Sequence, residues 1–487
     1  MLKNFFKTSF AYAVQNILQR GAEFLLLPFF LSIFSTEDYG IISMCTLLIT
    51  GLTSLFSLSL DGAVSRYYFK YSSKPKLLRE FIGTIITFLI VFLIIISIVF
   101  LLFSSRIWFL FIPEIKFNPY IFLVILISAI DPINRLFFSL LLIKRDVRLY
   151  TIYYNIYFYL KLFSLLIVSF YFKSTYCYFI AYLAVLLFFI PISFSGLRKY
   201  IKWGIKISYL KEAISYSIYI LPVTFMAIVN SFIDKYVVLN NMSLADVGVY
   251  SAGVNLAGII LLLATVMNKA YVSFFIQKYE ENKNNFESTI STLSDIYFFI
   301  ILIFTICVSL FICFFQWALP SMYVKSIEII SLFVFVGASN GLYFYYTNFM
   351  SLEQKLVKYK VLGFGLGIVI NFPISYYLTL KIGMIGAVIG TLCGFLTSLI
   401  VMKYLVVKVG NFKVKNKYIY YLLGGLFISS ITNKLLVGFT IPYSILIRVL
   451  VLLLVIFFMN LFFFEKKKFL SHYLNQLLAY VKNYNIK

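Results

Sequence analysis

Fourteen apolar runs punctuate the sequence, at residues 9 to 33, 39 to 61, 81 to 103, 119 to 142, 149 to 171, 175 to 194, 213 to 239, 246 to 273, 290 to 314, 326 to 350, 359 to 379, 382 to 407, 418 to 438 and 442 to 464. A hydrocarbon core about 30 Å thick takes roughly 20 apolar residues per helix, and these runs have that length. Backbone groups in lipid must be satisfied within their own segment, so the pattern predicts an all-α, polytopic membrane protein of about fourteen helices. Composition agrees. Of the residues 62% are hydrophobic and 12% charged, against roughly 45–50% and about 25% in soluble domains.

The polar connections set an orientation, because short cytoplasmic loops are enriched in Lys and Arg. With the N-terminus inside, twenty-eight basic residues fall on the cytoplasmic face and five on the other, namely Arg106, Lys116, Lys173, Lys325 and Lys381. Nine more, Lys434 among them, lie within the runs. Both termini are therefore expected in the cytoplasm. Lys3 and Lys7 precede the first run as in a signal peptide, but Arg20 and Glu23 interrupt it and no small-residue cleavage site follows. It reads as a retained helix. The formal charge of +24 is spread over short clusters between apolar runs, which argues against nucleic acid as a partner. Cys45, Cys177, Cys307, Cys313 and Cys393 lie in or beside apolar runs without metal-ligand or disulfide spacing, and the single histidine, His472, falls in the C-terminal tail. No catalytic residue, metal or cofactor is expected, and the chain is not read as an enzyme.

The longest inner connection before the tail, Gly196 to Glu212, carries Arg198, Lys199, Lys202, Lys206 and Lys211 with Trp203 and Ile207 between them. That pattern suits an amphipathic helix lying on the membrane surface. The sequence also repeats across this connection. Residues 35 to 71 align without gaps on residues 243 to 279, with ten identities in 37 positions, among them Ser35/Ser243, Asp38/Asp246, Gly40/Gly248, Ser43/Ser251 and Lys70-Tyr71/Lys278-Tyr279. Six helices separate the copies, so they keep one orientation, as in parallel repeats about an axis along the membrane normal. The expected domains are an N-terminal six-helix lobe (1–196), a basic cytoplasmic linker (197–212), a second six-helix lobe (213–410), and two additional helices with a basic tail (411–487).

Charges inside a bilayer cost about 2.5–3.5 kcal/mol each on insertion scales, so those that persist face a cavity or a partner. Asn16, Arg20 and Glu23 share one face of the first helix beside Gln19. They form either a buried packing pair or the wall of a wet cavity. Asp131 and Arg135 stand four residues apart around Pro132 in the fourth helix, as a local ion pair at a kink or as cavity residues. Lys161 lies mid-span in the fifth with no acid in that helix, and so needs water, another helix or an anionic ligand. Asp234 and Lys235 are sequence neighbours pointing about 100° apart. Arg448 in the last helix is shallow enough to snorkel. Asp61 and Lys269 are repeat equivalents of opposite charge near inner helix ends, either a latch between the halves or two independent end residues. The surplus of deep cations suits an anionic cargo such as a lipid diphosphate.

The segments FLLLPFFLSIFSTEDYGIISM (24 to 44), ILPVTFMAIVNSFIDKYVVLNNMSLADVGVYSAGVNLAG (220 to 258) and KIGMIGAVIGTLCGF (381 to 395) resemble the polysaccharide-transport branch of the multidrug/oligosaccharidyl-lipid/polysaccharide (MOP) exporter superfamily, the Wzx-like O-antigen and capsule repeat-unit flippases. The resemblance covers about residues 5 to 410. Its most specific element is Pro222 with Asp234-Lys235-Tyr236, followed by Val247-Gly248 and Tyr250; the family more often has Arg where Lys235 stands, so charge is kept and bidentate geometry lost.

The resemblance implies two six-helix lobes in a V around a cationic cavity, alternating between inward- and outward-open states. It further implies a bacterial cytoplasmic (inner) membrane location, and an undecaprenyl-diphosphate-linked oligosaccharide as cargo, its lipid tail remaining among the membrane lipids. A polysaccharide polymerase and glycosyltransferases are the functional partners it suggests, and a coupling ion, Na+ or H+, is left unidentified by the sequence. Competing expectations are a lipid II flippase, a drug/cation antiporter of the same superfamily and an O-antigen polymerase or ligase. The last is disfavoured by uniformly short outer segments, and the antiporter by the cationic interior.

Overall fold

The computed structural model describes residues 2–144, 147–281, 286–353, 356, 358–436 and 441–463; His472 and the basic tail lie outside the described residues. From the N-terminus the helices are α1 (Leu2–Ile33), α2 (Thr36–Ser57), α3 (Leu60–Ser72), α4 (Pro75–Phe111), α5 (Phe122–Ile143), α6 (Val147–Phe172), α7 (Thr175–Arg198) and α8 (Ile207–Asn241). There follow α9 (Leu244–Glu281), α10 (Phe286–Leu310), α11 (Cys313–Ala318), α12 (Ser326–Leu352), α13 (Tyr359–Ile382), α14 (Met384–Lys408), α15 (Lys417–Leu435) and α16 (Ile441–Phe463). The described chain is all-α, and each of the fourteen sequence-predicted spans lies mainly on helix, the second divided between α2 and α3 and the ninth between α10 and α11. Eleven of these are long and apolar enough to cross a membrane. The other three are α1, with its Gln15–Glu23 polar stretch, α15, and α16, whose apolar part Tyr443–Met459 is shorter.

The chain packs into two compact units. Unit 1 holds the described residues up to Leu256, with Phe315–Ile329 and Lys358–Ser398; unit 2 holds Ala257–Phe314, Ile330–Val357 and the described residues from Leu399 onward.

The aligned repeats start their helices identically. Ser35 caps α2, its hydroxyl accepting from the Asp38 amide and donating to the Asp38 carboxylate, and Ser243 does the same with Asp246 at the start of α9. A serine cap satisfies an orphan helix amide, and an acid in the first turn suits the positive end of the helix dipole. The second expected span, 39 to 61, is interrupted. Leu58 and Ser59 adopt left-handed backbone (φ 47° and 52°), so α2 ends at Ser57 and Asp61 belongs to α3. The Ser59 amide is held by the Ser57 hydroxyl.

The expected surface helix between α7 and α8 is instead an extended strap over residues 199–206. Its first residues close α7 in a turn, the Tyr200 and Ile201 amides donating to the Leu197 and Arg198 carbonyls, and Lys144 donates to the Tyr200 hydroxyl; the rest is fastened to α4. Glu80 receives Lys202 Nζ at 2.8 Å and Lys206 Nζ at 2.5 Å, and the Lys206 amide donates to the Thr84 hydroxyl. Gly83 lets the strap backbone lie directly on α4: a methyl there would strike the backbone of Lys202. The bonded Glu80 carboxylate holds the Lys206 ammonium above its usual pKa.

In unit 2 a similar fastening joins the α14–α15 connection to α10, where buried Asp295 receives Lys415 Nζ (2.6 Å), Lys417 Nζ (2.9 Å) and the Tyr418 hydroxyl (2.7 Å). Arg448 does not snorkel. It is buried at 7% exposure and donates to the Leu310 carbonyl and the Asn433 side chain, while Asn433 donates to the Ser309 carbonyl. A cation at the carbonyl end of α10 is favoured by the helix dipole, which makes burial preferable to reaching outward.

Candidate functional site

Two polar clusters lie within unit 1. The first is built on α5, where Asp131 is buried and receives Arg135 Nε at 2.7 Å, one turn further along the same helix. The Tyr157 hydroxyl of α6 approaches the other carboxylate oxygen at 3.4 Å. The carboxylate is thus spoken for, while the Arg135 side chain remains 45% exposed. Lys161, one turn beyond Tyr157 on α6, is half-buried with its ammonium 5.8 Å from the Tyr157 ring and 5.1 Å from the Tyr182 ring of α7. Aromatic faces attract a cation without neutralising it. Among the described residues no carboxylate contacts Lys161.

From α1, Arg20 and Glu23 pair at 3.1 Å, and the pair is exposed rather than packed. Glu23 lies within electrostatic reach of Tyr178 and Tyr182, and Tyr182 also senses Asp131 and Arg135. Tyr182 therefore links the α1, α5 and α6 charges. The α1 polar surface divides. Asn16 and Arg20 are exposed, whereas Gln15 and Gln19 are buried and Gln19 donates to Asn155 of α6 at 2.8 Å. Tyr157 and Tyr182 escaped sequence reasoning, although the four-residue spacing of Tyr157 and Lys161 was a usable signal.

The second cluster surrounds Asp234 on α8. Asn371 Nδ2 on α13 donates to Asp234 Oδ1 at 3.0 Å and to Asn230 Oδ1 at 3.1 Å, and the Ser375 hydroxyl donates to Asn371 Oδ1 at 2.6 Å. Thr391 of α14 and Tyr250 of α9 lie close to Asp234, and the Thr391 hydroxyl donates to the Ala387 carbonyl at 2.9 Å. Close approach of α13 and α14 depends on Gly367, Gly390 and Gly394, where added methyls would meet backbone or a serine hydroxyl of the facing helix. Among the described residues no group of three or more His, Cys, Asp or Glu side chains is placed to hold a metal. The cluster offers one carboxylate beside the Asn230 amide oxygen and neutral hydroxyls, a set suited to a proton or a hard cation. The α13 and α14 members carry no charge, which hid them in the sequence.

Lys235 turns away from Asp234, as the helical offset requires, and donates to the Ser43 carbonyl of α2 at 3.2 Å. Here the repeats meet. The Ser251 hydroxyl donates to the Ser43 hydroxyl at 2.8 Å, Gly40 lies against the Leu244 backbone, and Gly248 lies against the Thr36 backbone. Thr36 and Leu244 are themselves 208 residues apart, so the contact is reciprocal, as at an isologous interface. Asp61 on α3 accepts from Ser139 through its backbone carbonyl at 3.2 Å. Lys269 is exposed on α9 in unit 2.

An all-α chain with many spans and charged clusters at their polar faces defines a polytopic membrane transporter, and solved structures bear out that fold. A lipid II flippase MurJ in an inward closed conformation superposes with a TM-score of 0.67 at 16% identity, covering 94% of this chain and 98% of that one. A mutant of the Vibrio cholerae MATE transporter VcmN gives 0.59 at 14% identity (86% and 98% covered), and a MOP superfamily transporter from Pyrococcus furiosus gives 0.55 at 11% (84% and 97%). No curated protein sequence matches. Residues 5–272 match the family described as polysaccharide biosynthesis protein, and the chain belongs to that family, within the MOP exporter superfamily.

Proposed function

We propose that the protein flips an undecaprenyl-diphosphate-linked oligosaccharide, an O-antigen, capsule or exopolysaccharide repeat unit, from the cytoplasmic to the outer leaflet of a bacterial inner membrane by alternating access. Lys161 carries this reading: a mid-span ammonium near two tyrosine rings, with no carboxylate against it among the described residues, is suited to meet an anionic ligand. Arg135 and Arg20, each exposed beside its own acid, supply further donors for phosphate oxygens. Tyr182, only partly buried, offers a face for a sugar ring, while the buried Tyr157 backs the site. The family match supports a polysaccharide cargo, the loop charge asymmetry supports cytoplasmic termini, and the internal repeat supports lobes at 1–196 and 213–410.

The Asp234 pocket is where a coupling ion, H+ or Na+, would bind. Its carboxylate and neutral oxygens are drawn from α8, α9, α13 and α14, so filling it changes the electrostatics of four helices together.

The test is deletion of the gene with complementation. Deletion stops surface polysaccharide and leaves the lipid-linked unit on the cytoplasmic leaflet; Lys161→Ala, expressed to the wild-type level, restores less than about a tenth of export, since one charge-assisted contact is worth about 1.5–3 kcal/mol. Normal polysaccharide after deletion, in a strain without a second transporter, sinks the reading. Arrested peptidoglycan synthesis would instead identify lipid II as cargo.

A further inference from the structure

The cargo site leaves the strap between α7 and α8 unused, yet the strap has an unusual surface. Residues 202–208 are all exposed, including three large apolar side chains: Trp203 at 60%, Ile205 at 46% and Ile207 at 79%. This follows from how the strap is attached. It is held by its backbone on Gly83, by the Lys206 amide on Thr84 and by two ammoniums on Glu80, so this attachment to α4 does not require Trp203, Ile205 and Ile207 to be buried, and they stay exposed. Trp203 is supported from behind by the Phe194 ring, 6.0 Å away and nearly parallel.

The surrounding charge is positive and uncompensated. Glu80 is committed to Lys202 and Lys206, and Glu212 to Lys70 and the Tyr71 hydroxyl. Arg198, Lys199 and Lys211 are exposed, and among the described residues no carboxylate contacts them. Indole and aliphatic groups beside surplus cations, immediately next to membrane-spanning helices, match the chemistry of the headgroup layer of an anionic bilayer. There the indole partitions to the interface and each basic residue is attracted to lipid phosphate.

We propose that the strap is a membrane-surface contact that binds anionic phospholipid headgroups. Glu80 and Gly83 preset it, in place of the helix that such contacts usually require. The proposal concerns lipid of the surrounding bilayer and does not depend on the cargo.

The experiment uses the full chain with Trp108→Phe and Trp317→Phe, leaving Trp203 as the fluorophore, reconstituted in nanodiscs with lipids brominated near the top of the acyl chain. Trp203 is quenched by the brominated lipid, and at equal mole fraction brominated phosphatidylglycerol quenches at least about twofold more than brominated phosphatidylcholine, a preference that shrinks in high salt. Arg198→Gln, Lys199→Gln and Lys211→Gln together abolish the preference while the unfolding temperature stays unchanged. Quenching by aqueous iodide with none by brominated lipid overturns the proposal, as does equal quenching by the two lipids. Should the double tryptophan variant fail to fold, a fluorophore attached at Trp203→Cys in a cysteine-depleted chain makes the same measurement. Loss of polysaccharide export on deletion is a separate result, so either conclusion can fail without the other.

Discussion

The straps at 199–206 and 409–417 are fastened alike and finished differently. In each, two lysines converge on one acid of an earlier helix, Glu80 on α4 or Asp295 on α10. By helix order these are the third spans of the two six-helix sets, and the straps are the connections that follow the sixth. Around Glu80 the lysines are more than half exposed and the side chains between them face outward. Around Asp295 the lysines are 37% and 24% exposed, and Phe412 and Tyr418 are buried. The same ionic fastening can therefore support an outward contact in one place and a packed joint in the other. Side-chain burial, not charge, distinguishes them.

The comparison can be broken at three places. The largest effect is expected from Phe412→Ala, which empties a site lined by Phe349 and should cost about 3–5 kcal/mol, measured as thermal unfolding of the detergent-purified protein. A loss below 1 kcal/mol, roughly the scale of a surface change, would remove the contrast in burial. Next comes Asp295→Asn, which withdraws a charged acceptor from two ammoniums and a phenol; about 1.5–3 kcal/mol is expected, and an unchanged unfolding temperature would mean the second fastening is ornamental. The smallest is Glu80→Gln, because both its lysines already reach water. Stability should barely move, but trypsin should cut at Lys202 and Lys206 several-fold faster once the strap lifts from α4. Equal cleavage of wild type and variant would show that the backbone seat on Gly83 suffices alone.

Hydrophobic period and length made the fold legible, since lipid leaves a chain few alternatives to helices. The charges were legible too: the divergence of Asp234 and Lys235 and the lack of an acid beside Lys161 both follow from helical geometry. Less could be read wherever a residue's fate depends on a distant partner. Arg448 looked free to snorkel because the carbonyls that receive it belong to α10. The linker looked helical because its composition is amphipathic, while the seat that straightens it, Gly83, is a glycine on another helix. Asn371, Ser375 and Thr391 gave no signal at all, because neutral side chains in apolar helices become notable only once Asp234 is seen among them. The break at Leu58 and Ser59 had no glycine or proline to announce it.

At the seam between α2 and α9, Ser43 touches the residue that occupies its own place in the other copy. Ordinary duplicates drift apart because each answers to different neighbours. At this contact the pairs stay tied to each other, since enlarging Gly40 strikes the Leu244 backbone and enlarging Gly248 strikes that of Thr36. The two halves are therefore heirs to a single constraint, and the seam preserves within one polypeptide the geometry of two identical subunits meeting face to face.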